Sequence, residues 1–150
     1  MSTMTAQTTK VFQIFIRTTP DRVWEAITSP HHTAKYFFGS HVDSTFQPGA
    51  PIVYHTADRS RLDVDGEVLE VDPPRRLVTT WRSLWTPELA AEEPSRVSWE
   101  IETAGEGVCK LTLTHDRLDG APKTAEQIEG WSYILSGMKT LLETGAPLDA

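Results

Sequence analysis

A single cysteine, Cys109, stands in 150 residues. A lone thiol excludes an intramolecular disulfide and fits a reducing compartment. No apolar run approaches the length of a membrane span. Basic residues are outnumbered, 14 Lys and Arg against 21 Asp and Glu, and they form no cluster. The formal net charge of −7 argues against a nucleic-acid or anionic-membrane surface, since both favour basic patches. There is no Gly-rich phosphate loop and no nucleophile elbow. The histidines fall in no spacing that would hold zinc. Residues 1–10 are polar and Thr-rich, without the apolar core of a signal peptide. The expectation is a cytoplasmic protein with a disordered tail over residues 1–9 and one domain over 10–146. No metal, cofactor, nucleic acid or membrane insertion is expected.

What is present is a series of alternating segments followed by one apolar helix. Residues 11–17 are β-prone and read as a first strand. Thr19-Pro20-Asp21 then supplies a cap, a first-turn proline and a dipole-matched acid, so a short helix follows. Ser29-Pro30 repeats the signal, and a second short helix is predicted over residues 31–38, ended by Gly39. Strands are predicted over 41–46, 50–56, 62–71, 76–85, 96–103 and 108–115. Leu62, Val64 and Val68 alternate with Asp63, Asp65 and Glu67, which puts the three acids on a wet face. Leu77, Trp81 and Trp85 share one parity, as do Val97, Trp99 and Ile101. Cys109, Leu111 and Leu113 share another, continued by His115. Residues 87–94 read as a charged surface insertion carrying Glu88, Glu92 and Glu93. Over residues 124–144, Ile128, Trp131, Leu135, Met138 and Leu142 recur at steps of three and four, the stripe of a helix with one face to bury. The order predicts an α+β fold: an antiparallel sheet of six or seven strands curved around a long C-terminal helix, with two short helices after strand one.

Four stretches carry a family resemblance. They are Thr19-Pro20-Asp21-Arg22-Val23-Trp24-Glu25-Ala26-Ile27-Thr28 with Tyr36-Phe37-Phe38-Gly39; Gly66-Glu67-Val68-Leu69-Glu70-Val71-Asp72-Pro73-Pro74-Arg75-Arg76-Leu77; Thr80-Trp81; and Gly130-Trp131 with Leu135-Ser136 and Leu142-Glu143-Thr144-Gly145. In this order they resemble the activator-of-heat-shock-protein-90-ATPase homologues, within the START-like SRPBCC superfamily of helix-grip folds, over residues 10–146. The resemblance implies a deep apolar cavity between the long helix and the sheet. Relatives in that superfamily bind lipids, sterols, hormones or polyketides, and a few catalyse cyclisation. Co-chaperone members carry an additional N-terminal domain with its own activating motif, and these 150 residues hold neither. Three functions follow as expectations: binding of a hydrophobic small molecule, a protein-interaction module with a protein partner, or an enzyme of the cyclase or hydrolase kind.

The residues expected to line the cavity are Phe38, Val64, Val68, Trp81, Trp99, Leu113, Ile128, Trp131, Leu135 and Met138, each the apolar member of its pattern. Plain core packing is the competing reading, because large aromatics also fill ordinary cores. His115, His55 and Tyr133 are the polar groups that an enzyme would use. His31 and His32 are adjacent on a helix and point about 100° apart, a poor geometry for one metal. Cys109 has nothing beside it in sequence to lower its pKa and reads as a buried, inert thiol.

Overall fold

The computed structural model describes residues 9–148. The expected tail therefore lies outside the described residues, Thr9 apart. β1 (Lys10–Ile16) leads into α1 (Pro20–Thr28) and α2 (Pro30–Tyr36). β2 (His41–Ser44), β3 (Pro51–His55), β4 (Leu62–Asp72) and β5 (Arg76–Ser83) follow as a meander. After α3 (Pro87–Ala90) come β6 (Ser95–Gly105), β7 (Val108–Asp116), α4 (Pro122–Glu126) and α5 (Gly130–Thr144). The seven strands form one antiparallel sheet in the order β1-β7-β6-β5-β4-β3-β2. β1 and β2 sit on opposite edges, so α1 and α2 carry the chain from one edge to the other.

Local chemistry explains the element ends. The Thr19 hydroxyl accepts from the Arg22 N–H at 3.4 Å, with Pro20 in the first turn of α1. Gly145 closes α5 at φ 82°, and its N–H donates to the Leu141 carbonyl at 2.8 Å. Strand β5 stops at Ser83, short of Trp85. Thr86-Pro87 is a helix start, and the Thr86 hydroxyl accepts from the Leu89 N–H at 3.1 Å. That start takes Trp85 out of the strand and leaves it 45% exposed.

Two further expectations need correction. The C-terminal helix is not continuous over residues 124–144. It is broken between α4 and α5, where Gln127, Ile128 and Gly130 donate back three residues in tight turns. Gly130, at the break itself, is a weak helix former. The apolar stripe nonetheless crosses the gap, with Ile128 and Trp131 both buried. It is also wider than expected, since Ile134 and Leu141 are buried too. The acidic stretch over 87–94 is not merely a surface insertion. It contains α3, whose Leu89 is buried. Glu92 caps α4 from outside: its carboxylate accepts from the Lys123 and Thr124 N–H groups at 2.5 and 3.0 Å and from the Thr124 hydroxyl at 2.8 Å. A carboxylate on a helix N-terminus satisfies free N–H groups and meets the positive dipole end.

The core lies between the inner face of the sheet and α1, α2 and α5. α5 approaches α2 closely at Gly137, where a Cβ would meet the Tyr36 Cβ at 3.3 Å. The outer face carries cross-strand ion pairs. Arg82 grips Asp65 with two bonds of 3.0 and 2.7 Å, and Arg96 grips Asp116 at 2.9 and 2.6 Å. Arg76 joins Glu70 and Glu100.

Gly66 has no room for a side chain: a Cβ there would lie 2.1 Å from the Thr80 carbonyl oxygen on β5. The obstacle is backbone and cannot rotate away. Gly66→Ala is expected to lower stability by at least about 1–3 kcal/mol, the range for overpacking. A denaturant melt within about 0.5 kcal/mol of the parent, as for a neutral surface change, would show that β4 and β5 can separate here freely.

Candidate functional site

The helical layer and the sheet do not meet everywhere. A cavity of about 470 Å³ remains between α4, α5, the α2–β2 turn and strands β4, β5 and β7. Small-molecule sites range from about 300 to 1,000 Å³. Phe37, Trp81, Ile128, Trp131 and Ile134 form its apolar walls, and Ser40, Asp63, Ser83, His115, Thr124 and Gln127 add polar groups. Phe38 and Trp85 complete the lining at the mouth, being 66% and 45% exposed.

The walls are a network of rings. Trp131 meets Trp81 at 5.1 Å between centroids, Trp99 at 5.6 Å and Phe37 at 5.9 Å. Phe37 stacks on Tyr54 at 5.1 Å, and Tyr54 meets Trp81 at 5.3 Å. The Trp99 and Phe37 contacts with Trp131 are edge-to-face, at 88° each. Such pairs add about 0.5–1.5 kcal/mol beyond area burial.

One hydrogen-bonded chain orients the central ring. The Trp131 Nε1–H donates to His115 Nδ1 at 3.0 Å. An indole N–H only donates, so Nδ1 is the accepting nitrogen and the proton of the neutral imidazole sits on Nε2. Nε2 lies 2.7 Å from the Ser95 hydroxyl, which therefore accepts from it. The Ser95 hydroxyl then donates to the Trp81 carbonyl at 3.1 Å. His115 is 1% exposed, and burial pushes its pKa from the ordinary 6.5 down to about 4, with the Asp116 carboxylate pulling weakly the other way. Both nitrogens are occupied and the ring stays neutral, so His115 is a fixed positioning group.

Asp63 enters the cavity through a bulge. Tyr54 of β3 pairs with Val64, but His55 pairs with Leu62, so Asp63 is the extra residue of β4. A bulge re-aims side chains and breaks the alternation. Asp65 and Glu67 remain on the outer face, where Asp65 meets Arg82 and Glu67 is exposed. Asp63 instead lines the cavity and accepts from the buried Ser40 hydroxyl at 2.5 Å. Parity in the sequence placed it with the other two acids. Two successive left-handed residues, Phe38 at φ 51° and Gly39 at φ 81°, bring Ser40 inward.

The structure brings Phe38, Trp81, His115, Ile128 and Trp131 together on the cavity. Val64, Val68, Trp99, Leu113, Leu135 and Met138 are buried in the core cluster but do not line the cavity. Trp99 backs the wall through its contact with Trp131. Tyr133 faces outward, 42% exposed, and stacks on Phe38 at 5.6 Å and 6°. His55 lies on β3, its Nε2 3.5 Å from Asp43. Cys109 is buried, its thiol donating to the Thr18 carbonyl at 3.2 Å, and burial raises its pKa. Among the described residues, no group of three or more His, Cys, Asp or Glu could hold a metal ion. Their helices include none long and apolar enough to cross a membrane.

Two outcomes follow from the His115 chain. Trp131→Ala should lower stability by about 3–5 kcal/mol, as for large aromatic truncations in cores, and Trp131→Phe by about 1–3 kcal/mol, because Nδ1 loses its donor in a buried place. A loss below about 1 kcal/mol for Trp131→Ala in chemical denaturation would mean the ring is not a core group. The second outcome concerns pH. His115 binds its proton in the unfolded chain near 6.5 but in the fold only near 4. Its contribution is fully present above 6.5 and is lost as pH falls through 4, about 3 kcal/mol in all. Asp116 and Glu143 are held low by Arg96 and Lys139, so their contributions are lost further down, below the ordinary carboxylate range. Partly buried His32 adds to the slope with the same sign. His115→Gln should flatten the fall in melting temperature between pH 6.5 and 4, and an unchanged slope would refute the assignment.

Solved structures with this architecture are known. The protein MLL2253 from Mesorhizobium loti superposes with a TM-score of 0.71 at 24% identity, covering 89% of this chain and 96% of its own. CalU16 from Micromonospora echinospora gives 0.73 at 18% identity, over 93% of this chain and 76% of its own. PFC0360w, an HSP90 activator from Plasmodium falciparum, gives 0.72 at 19% identity, over 90% and 96%. These likenesses carry the fold alone, and no curated protein matches the chain. The family described as activator of Hsp90 ATPase homolog 1-like protein matches residues 17–143, spanning both short helices, the whole β2–β7 meander and nearly all of α5. The chain belongs to that family, with its helix-grip fold.

Proposed function

We propose that the protein binds a small, largely apolar molecule in the cavity between α5 and the sheet. The observation that carries this reading is the cavity itself: about 470 Å³, walled by Phe37, Trp81, Trp131 and Ile134 and open at Phe38 and Trp85. Ligand sites combine apolar walls with a few placed polar groups. Catalysis has less support. The buried imidazole has both nitrogens engaged, and His55 and Tyr133 do not line the cavity. That leaves Asp63 as the single proton carrier on the wall, with no acid–base partner beside it. A protein-interaction role, which the family description suggests for some members, has the exposed rings Phe38, Tyr133 and Trp85 in its favour.

A panel of aromatic and lipid-like compounds tests the proposal. An occupant touching Trp81 and Trp131 should quench tryptophan fluorescence. It should also raise the melting temperature, by the equivalent of about 2.7 kcal/mol at a hundredfold excess over Kd. Ile134→Trp, which fills the wall, should abolish both signals while the apo protein still melts cooperatively. If no compound moves either signal, the cavity is not a binding site, and the interaction role becomes the better account.

A further inference from the structure

The cavity has an acid and no base. Asp63 lines it, and no Lys or Arg does. The other titratable group on the wall, the His115 imidazole, is held neutral between Trp131 and Ser95. Arg82, the nearest arginine by register on β5, lies on the outer face and is committed to Asp65 through two bonds. Among the described residues, Asp63 enters no ion pair. Its one side-chain partner is the neutral Ser40 hydroxyl on Oδ2.

That arrangement is tolerable while water fills the cavity, because water solvates the carboxylate. A ligand that fills the space removes this water. A neutral hydrocarbon would then leave a carboxylate desolvated with one neutral donor, and burying an unpaired charge is strongly unfavourable. An anionic ligand would add like-charge repulsion at close range. A ligand with an ammonium group does the opposite. It supplies a charge-assisted hydrogen bond, roughly twice as strong as a neutral one. Two indole rings, Trp81 and Trp131, share the wall with Asp63, and aromatic rings attract cations. The geometry of the carboxylate is built: a β-bulge aims it inward, and the left-handed pair Phe38 and Gly39 places the Ser40 hydroxyl that holds it.

We propose that the cavity selects aromatic or otherwise apolar amines, with Asp63 as counter-charge to their ammonium group. The inference rests on the cavity-binding reading above and narrows it: fatty acids and other carboxylates are poor occupants. The net charge of −7 favours cations at longer range as well, but that part is screened by salt.

The test uses one ring system with three charges: naphthylethylamine, naphthylethanol and naphthylacetate. Each is titrated into the full-length protein by isothermal calorimetry at about 150 mM salt, where the Debye length is about 8 Å. The amine should bind at least about tenfold more tightly than the alcohol, and the acetate most weakly. In Asp63→Asn the amine should lose that advantage, while the alcohol should bind at least as tightly as to the native protein, because it no longer buries a carboxylate. Ser40→Ala removes one holding bond but keeps the charge and the bulge that aims it, so the amine should keep its lead. If the alcohol or the acetate binds the native protein as tightly as the amine, or if Asp63→Asn preserves the ranking, the charge selection is wrong and cavity binding stands. If none of the three binds, cavity binding fails and the inference fails with it. The ranking on the native protein decides by itself should Asp63→Asn not fold.

Discussion

The indole of Trp131 donates its N–H to an imidazole that is buried, neutral and already committed to Ser95 on its other side. Much of the cavity's shape depends on this bond. It ties the first turn of α5 to the end of β7, and through Ser95 it reaches the backbone of β5 at Trp81. An apolar ring in the same place could slide to fill empty space. A ring whose N–H must find one acceptor in a buried region is held in one orientation, because an unpaired donor or acceptor there is expensive. Phe37, Trp81 and Trp99 then pack against a fixed partner.

The fold was legible in the sequence because its signals are periodic. Alternation in β6 and β7, the three-and-four steps of α5 and the Thr19-Pro20 start are local patterns that survive tertiary context. The misreadings have separate causes. The start of α4 is held by Glu92, about thirty residues away, whose carboxylate accepts from the Lys123 and Thr124 N–H groups. No short window of sequence around residue 122 contains that carboxylate. Strand β5 ends early for a local reason, because the next helix claims Thr86 and Pro87.

The candidate site was harder to read, and particular residues show why. Trp81 and Trp131 follow from parity and helical spacing, yet parity cannot separate a cavity wall from solid core. Trp99, Leu113 and Met138 obey the same rule as Trp81 and are buried without lining the cavity. The difference lies in depth along the sheet, a three-dimensional quantity. Asp63 is the sharper case. Its neighbours Val64 and Val68 fix an inner parity that excludes it, and only the bulge opposite His55 reverses its direction. The acid that gives the cavity its polarity was thus hidden by the regularity that reveals the strand. His115 was visible as a parity match, but its role came from contacts with residues 16 and 20 positions away.

A cavity of about 470 Å³ beside so many aromatic rings raises the question of why the core does not close. A sealed, dry void is destabilising by about 24 cal/mol per Å³ in engineered cores. At that rate this space would cost most of a domain's net stability, which is about 5–15 kcal/mol. The cavity is not sealed: it opens past Phe38 and Trp85, and its lining includes a carboxylate and several hydroxyls, so it can admit and hydrogen-bond water. Water there replaces the lost contacts in part, and the acid needs it for solvation. Collapse is opposed from two sides. Trp131 is fixed by His115, and the inward carboxylate of Asp63 would be stripped of water if the walls met. The same carboxylate that keeps the space hydrated also sets what can displace the water, because an occupant must replace the solvation that it removes.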